Sequence, residues 1–194
     1  AHDHALAGSA LSDDAATLAL NLSFLAAVEA DTSRGGDALD HVERAVLEAE
    51  DSGDPVSRAY AHAYLGHVHL LDGSHDEGRA AVERAIEACA ALLVLKPWPM
   101  AMLAEIDVGA GRLAAAARTA QLAEGLAAAT GIASQRALAQ RALALVAAAR
   151  GDEPTAMQHL HVALGHAWRT SRQGYAFHWP VAWVLESLAV VSAR

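Results

Sequence analysis

Residues 60–88 read YAHAYLGHVHLLDGSHDEGRAAVERAIEA, and the fold of the chain follows from how this stretch divides. Asp72-Gly73-Ser74 is a turn signal between two segments of helical period. In the first segment Gly66 follows Leu65 in mid-helix, where glycine costs about 1 kcal/mol relative to alanine unless a second helix needs the room. In the second, Ser74 stands three residues before Glu77, the capping-box spelling that starts a helix. Gly78, Val82 and Ala85 then share one stripe. Two antiparallel helices packed closely through small residues account for all of this.

The pattern recurs. An alanine equivalent to Ala85 falls at Ala45, Ala123 and Ala163, giving spacings of 40, 38 and 40 residues. A leucine followed by a small residue falls at Leu25-Ala26, Leu65-Gly66, Leu103-Ala104 and Leu143-Ala144, with the same spacings. Turn glycines recur as Gly73, Gly111 and Gly151, and Gly35-Gly36 supplies a turn in the first copy. Two markers agreeing over four copies predict an all-α helical-repeat solenoid. A fifth pair, Leu188-Ala189, follows after 45 residues, and the sequence reaches Arg194 before any second helix. That predicts a piece of a longer protein, about four and a half helix pairs long. Leu185, Leu188 and Val191 should then lack their intended partner, and be covered by residues 171–178 or by a second copy in a homodimer.

The spelling Leu-Gly, Gly-Asp/Ser, small-x-x-x-apolar-x-x-Ala resembles the tetratricopeptide repeat, which implies a right-handed solenoid. The period here is longer than that family's usual value of about 34 residues, so longer helices are expected. The repeats are placed near 12–52, 54–92, 97–130 and 132–170, with a half repeat at 178–194 and a frayed or foreign start at 1–11. Within these, Ser12-Asp-Asp caps the first helix, residues 31–36 form a turn, and Asp54-Pro55 starts a helix with proline in its first turn. Pro97 and Pro99 around Trp98 force a break and a restart. Trp179-Pro180 opens the last helix.

Composition narrows the function. Hydrophobic residues make up 54% of the chain and are mostly Ala and Leu, which favour helix. No apolar run approaches the roughly 18 residues of a membrane span, no secretory layout is present, and one cysteine permits no internal disulfide. A cytoplasmic location without membrane contact is the expectation. Residues 1–90 hold 5 Arg and 17 Asp/Glu, a net of −12, and residues 91–194 hold 9 Lys/Arg and 6 Asp/Glu, a net of +3. No basic stripe suited to phosphates results, so direct nucleic-acid binding is not expected. The acidic half reads as a solvated face, or as a surface for a basic partner.

Eleven histidines invite a metal reading, but helical chelation needs ligands three or four apart and no two of them have that spacing. His67 and His69 point roughly opposite ways; His62 and His69 share a face but lie about 10 Å apart along the axis. Cys89 has no catalytic surroundings and reads as a small buried residue. Gly109-Ala-Gly111 lacks the rest of a phosphate loop, and neither a nucleophile elbow nor a His-Glu-x-x-His is present. No enzyme, metal or cofactor is expected.

Aromatic residues are only 5% of the chain, yet three recur at one place in the repeat. Counting from each Leu-small pair, the inner wall made by the first helices should carry Tyr60, His67, Trp98, Glu105, Arg141 and Trp183. Aromatic anchors with a few charges suit a groove for a protein, peptide or small-molecule effector. The alternative is that these rings pack between repeats. Trp179-Pro-Val-Ala-Trp183-Val-Leu-Glu-Ser-Leu188-Ala is similar to a segment in the C-terminal repeats of bacterial LuxR-type ATPase transcription regulators. That resemblance implies a sensor or interaction arm whose occupancy biases an ATP-dependent switch elsewhere in the protein. A scaffold that joins proteins without an effector is the other reading.

Overall fold

The computed structural model describes residues 14–32, 35–172 and 179–193. Among them the chain forms nine helices and no strand: α1 (Ala15–Asp31), α2 (Gly35–Ser52), α3 (Pro55–Asp72), α4 (His75–Ala88), α5 (Pro97–Gly109), α6 (Leu113–Thr130), α7 (Ala133–Ala149), α8 (Glu153–Arg172) and α9 (Trp179–Ser192). Two compact units divide the chain, Ala1–Leu92 and Leu93–Arg194, so the boundary falls between the second and third repeats.

In the first unit α1 packs on α2 and α3 on α4, and α3 also lies against α1 and α2. In the second unit α5 packs on α6 and α7 on α8; α7 also lies against α5 and α6, and α9 against α7 and α8. The markers sit at these contacts. Ala45, Ala85, Ala123 and Ala163 are fully buried, Ala26, Ala104 and Ala144 are so to within 1%, and Gly66 is buried too. First helices are buried on most sides, as α3 is from Ser57 to Val68, whereas α4 buries only the stripe Gly78, Ala81, Val82 and Ala85. A helix between several neighbours must be apolar nearly all round, and an outer one needs only a stripe.

Local chemistry starts and stops the helices. Asp14 accepts a hydrogen bond from the Thr17 N–H at 2.8 Å, Asp54 from Ser57 at 2.7 Å and Asp152 from Thr155 at 3.2 Å. These bonds hold the Asp14 and Asp152 carboxyls below their usual range, the Thr17 and Thr155 side chains being the largest cause. Gly73 closes α3 at φ 83°, a left-handed position that side chains resist, and Gly111 and Gly151 repeat that geometry in their turns.

Three expectations change. Ser74 precedes α4 without capping it: its hydroxyl turns to the Asp72 carboxylate at 2.9 Å, a charged acceptor that outcompetes the helix N–H groups. Gly35 and Gly36 belong to α2 and do not form a turn. Leu188 and Val191 are not left open. Val184 and Val191 are buried, and with Leu188 they pack into a core with Leu160, Ala156 and Ala163 of α8, while Leu185 and Val190 remain exposed. Residues 1–13 and 173–178, including Ser12 and most of the expected connector, lie outside the described residues.

Candidate functional site

Each unit places its sequence candidates on first helices. In the first unit Tyr60 and His67 both come from α3. The Tyr60 ring lies 5.7 Å from Phe24 of α1 and 6.2 Å from Tyr64, and Phe24 meets Tyr64 edge-on at 5.8 Å. Burial raises the hydroxyl pKa of both tyrosines, Tyr64 well above the ordinary value, so both are neutral phenols at pH 7. His67 is buried, and its Nε2 is 2.9 Å from Oδ1 of Asp31 at the end of α1. These two residues therefore tie α3 to α1 as well as standing on the inner helix.

Two further histidines bridge successive helices in the same unit. His41 of α2 meets Glu29 of α1 at 2.7 Å, and His62 of α3 meets Glu50 of α2 at 2.9 Å. The His62 hydrogen bond is the main reason the Glu50 carboxyl is held below its usual range, with Arg58, 3.0 Å away, adding to it. In the second unit Arg136 of α7 forms an ion pair with Glu124 of α6 at 2.9 Å. In all three, the acid stands 12 residues before its partner. Nothing in the marker spacing pointed to these pairs, although a search for an acid followed by His or Arg at that interval finds them.

In the second unit Trp98, Glu105, Arg141 and Trp183 stand on α5, α7 and α9, the three first helices. Trp98, enclosed by Pro97 and Pro99, is 8% exposed and packs as a core ring. Arg141 is the hub of the other three. It forms an ion pair with Glu105, the two side chains being 12% and 11% exposed. Its Nε donates to the Trp183 carbonyl at 3.1 Å and to Ser187 Oγ at 2.9 Å, and its guanidinium carbon lies 5.6 Å from the Trp183 ring centroid. Ser187 was not expected here; its hydroxyl in turn donates to the Trp183 carbonyl at 2.9 Å. One arginine thus joins α5, α7 and α9 with a carboxylate, a hydroxyl and an indole in reach.

His166 of α8 provides a pH handle outside this cluster. Burial is the largest cause of its lowered pKa; Arg169 and Arg136 add to the effect, and Glu124 opposes it. A histidine whose folded pKa is depressed destabilises the fold as pH drops from about 6.5 through the folded value, because the unfolded chain then binds the extra proton. Thermal melts from pH 8 to pH 5 should show a smaller loss of stability for His166→Gln than for the wild type over that window.

Among the described residues no group of three or more His, Cys, Asp or Glu is placed to hold a metal ion, and no helix is long and apolar enough to cross a membrane. No family model matches the sequence, and no curated protein matches it either. Solved structures do share the fold. The crystal structure of the apo form of RapI matches with a TM-score of 0.58 at 13% identity, over 92% of this chain and 48% of that one. The chain therefore spans about half the length of RapI. At this identity the likeness is one of fold, and it agrees with an all-α, tetratricopeptide-like helical-repeat solenoid.

Proposed function

We propose that the chain is a regulatory, protein-interaction repeat domain and not an enzyme, with the wall formed by α5, α7 and α9 receiving an effector. The observation that carries this reading is the Glu105–Arg141–Trp183 cluster. Apolar residues of the same volume stabilise a helix contact at least as well as a buried ion pair does, so packing alone does not call for these side chains. Arg and Trp are, in contrast, the residues that dominate binding hot spots. A protein, peptide or small molecule with an anionic group fits them. In the wider reading, taken from the resemblance to LuxR-type ATPase regulators, this domain is the sensor arm and its occupancy biases a switch elsewhere in a longer protein. A homodimer, if it forms through the last helix, would use the exposed Leu185 and Val190.

Calorimetry and tryptophan emission against candidate effectors test the wall. Trp183→Ala should weaken binding by about 2 kcal/mol or more and leave a cooperative melt. Trp98→Ala should instead cost about 3 kcal/mol or more of stability. A scaffold without an effector is the second reading, and the burial of His67 and Trp98, with the packing of Tyr60 against Phe24 and Tyr64, favours it. On that reading both tryptophan variants change stability alone, and no effector binds the wild type.

A further inference from the structure

We infer that His166 and Arg169 form a proton-driven latch near the end of α8: a proton arriving at His166 Nδ1 expels the Arg169 guanidinium from the ring, and Glu124 becomes the countercharge of the imidazolium. The two residues stand three apart on one helix, and Nη2 of Arg169 is hydrogen-bonded to Nδ1 of His166. A guanidinium can only donate, so Nδ1 is the acceptor and the ring is neutral, with its proton on Nε2. The atom that holds Arg169 is therefore the atom that takes the next proton. Once Nδ1 carries it, the lone pair is gone and two cations face each other. Arg169 is exposed and can turn to water, whereas His166, 7% exposed, stays in place.

Glu124 of α6 is poised to receive the new charge. Its Oε1 accepts from Arg136 of α7, while its Oε2 is buried and has no hydrogen-bond partner among the described residues. A buried acceptor without a donor is costly, and a protonated imidazole has two N–H groups to give. Burial, then Arg169 and Arg136, press the His166 pKa down, and Glu124 presses it up. The other helix groups are accounted for: Arg141 of α7 is paired with Glu105, and Glu186, the titratable residue of α9, is exposed. Trp168 precedes Arg169 in the chain and is 53% exposed, so release of the guanidinium changes the surroundings of an indole.

The full chain is followed from pH 8 to pH 5 by long-range proton–nitrogen NMR of the histidine rings and by tryptophan emission, with His166→Gln identifying the His166 signals. At pH 8 the His166 ring should carry its proton on Nε2. Arg169→Ala should raise the His166 midpoint by about one pH unit or more, and Glu124→Gln should lower it by about half a unit. Wild-type emission should change at the same midpoint, and that step should vanish in Arg169→Ala and in Trp168→Phe. If Glu124→Gln does not fold, Arg169→Ala, a change at an exposed side chain, decides alone. A proton on Nδ1 at pH 8, or a midpoint that Arg169→Ala leaves unmoved, overturns the latch. An emission step that persists in Arg169→Ala overturns it too, because Arg169 is then a fixed charge and not the moving part.

Discussion

Replacing Gly66 by leucine should destabilise the first unit by about 1–3 kcal/mol, the range for overpacking a close contact. A β-carbon built at Gly66 would lie 2.2 Å from Val82 Cγ2 and 3.1 Å from the Gly78 carbonyl oxygen. Both come from α4, so the clash lies at the α3–α4 contact. Val82 is β-branched and has little freedom at χ1, and the Gly78 carbonyl belongs to a helix backbone that cannot turn aside. Even Gly66→Ala, which would gain about 1 kcal/mol of helix propensity at an open site, should be destabilising here. Adding Val82→Ala should recover part of that loss. Urea melts of the three variants check the point, and an unchanged midpoint for Gly66→Leu would mean that the contact is not made.

Glu105→Ala should cost about 3 kcal/mol, the order found when one partner of a buried ion pair is removed and the other is stranded. The double variant Glu105→Leu/Arg141→Met should be far closer to wild type, because an apolar pair of similar volume needs no compensating charge. A strongly favourable coupling energy from that cycle, together with a stable double variant, would show that the two side chains depend on each other more than the fold depends on them. A double variant as unstable as the single one would instead make the pair, with the bonds to Trp183 and Ser187, a structural requirement of the second unit.

Much of this architecture could be read in the sequence because close helix contacts leave a periodic trace. Ala45, Ala85, Ala123 and Ala163 recur because a larger residue there would hold two helices apart, and all four are fully buried. The starts of α1 and α3 were legible for a local reason: an aspartate bonds an N–H three residues on, whatever the rest of the chain does. Ser74 misled because its competitor, Asp72, acts through space across the turn. The candidate residues fell on first helices as expected, but the burial of Trp98 and the pairing of His67 with Asp31 were not legible. Each successive residue turns a helix by about 100°, so small rotations decide whether a ring faces a groove or a neighbour. Position in the repeat does not fix that rotation; the opposing side chains do.

The 12-residue interval shared by Glu29–His41, Glu50–His62 and Glu124–Arg136 also limits how this chain can change length. Each tie encloses the turn between two helices, so a residue inserted there lengthens the loop between two fixed points. The same residue inserted within the helical part of the interval rotates one partner by about 100° and breaks the tie. Insertions are therefore absorbed in the turns, or come as near-integral helical turns of three or four residues. Such steps preserve the facing of both acid and base. The middle spacing of 38 beside two of 40 is a difference too small for a full turn. That shorter interval, from Ala85 to Ala123, encloses none of the three ties, so the length differs where no such tie fixes the two helices.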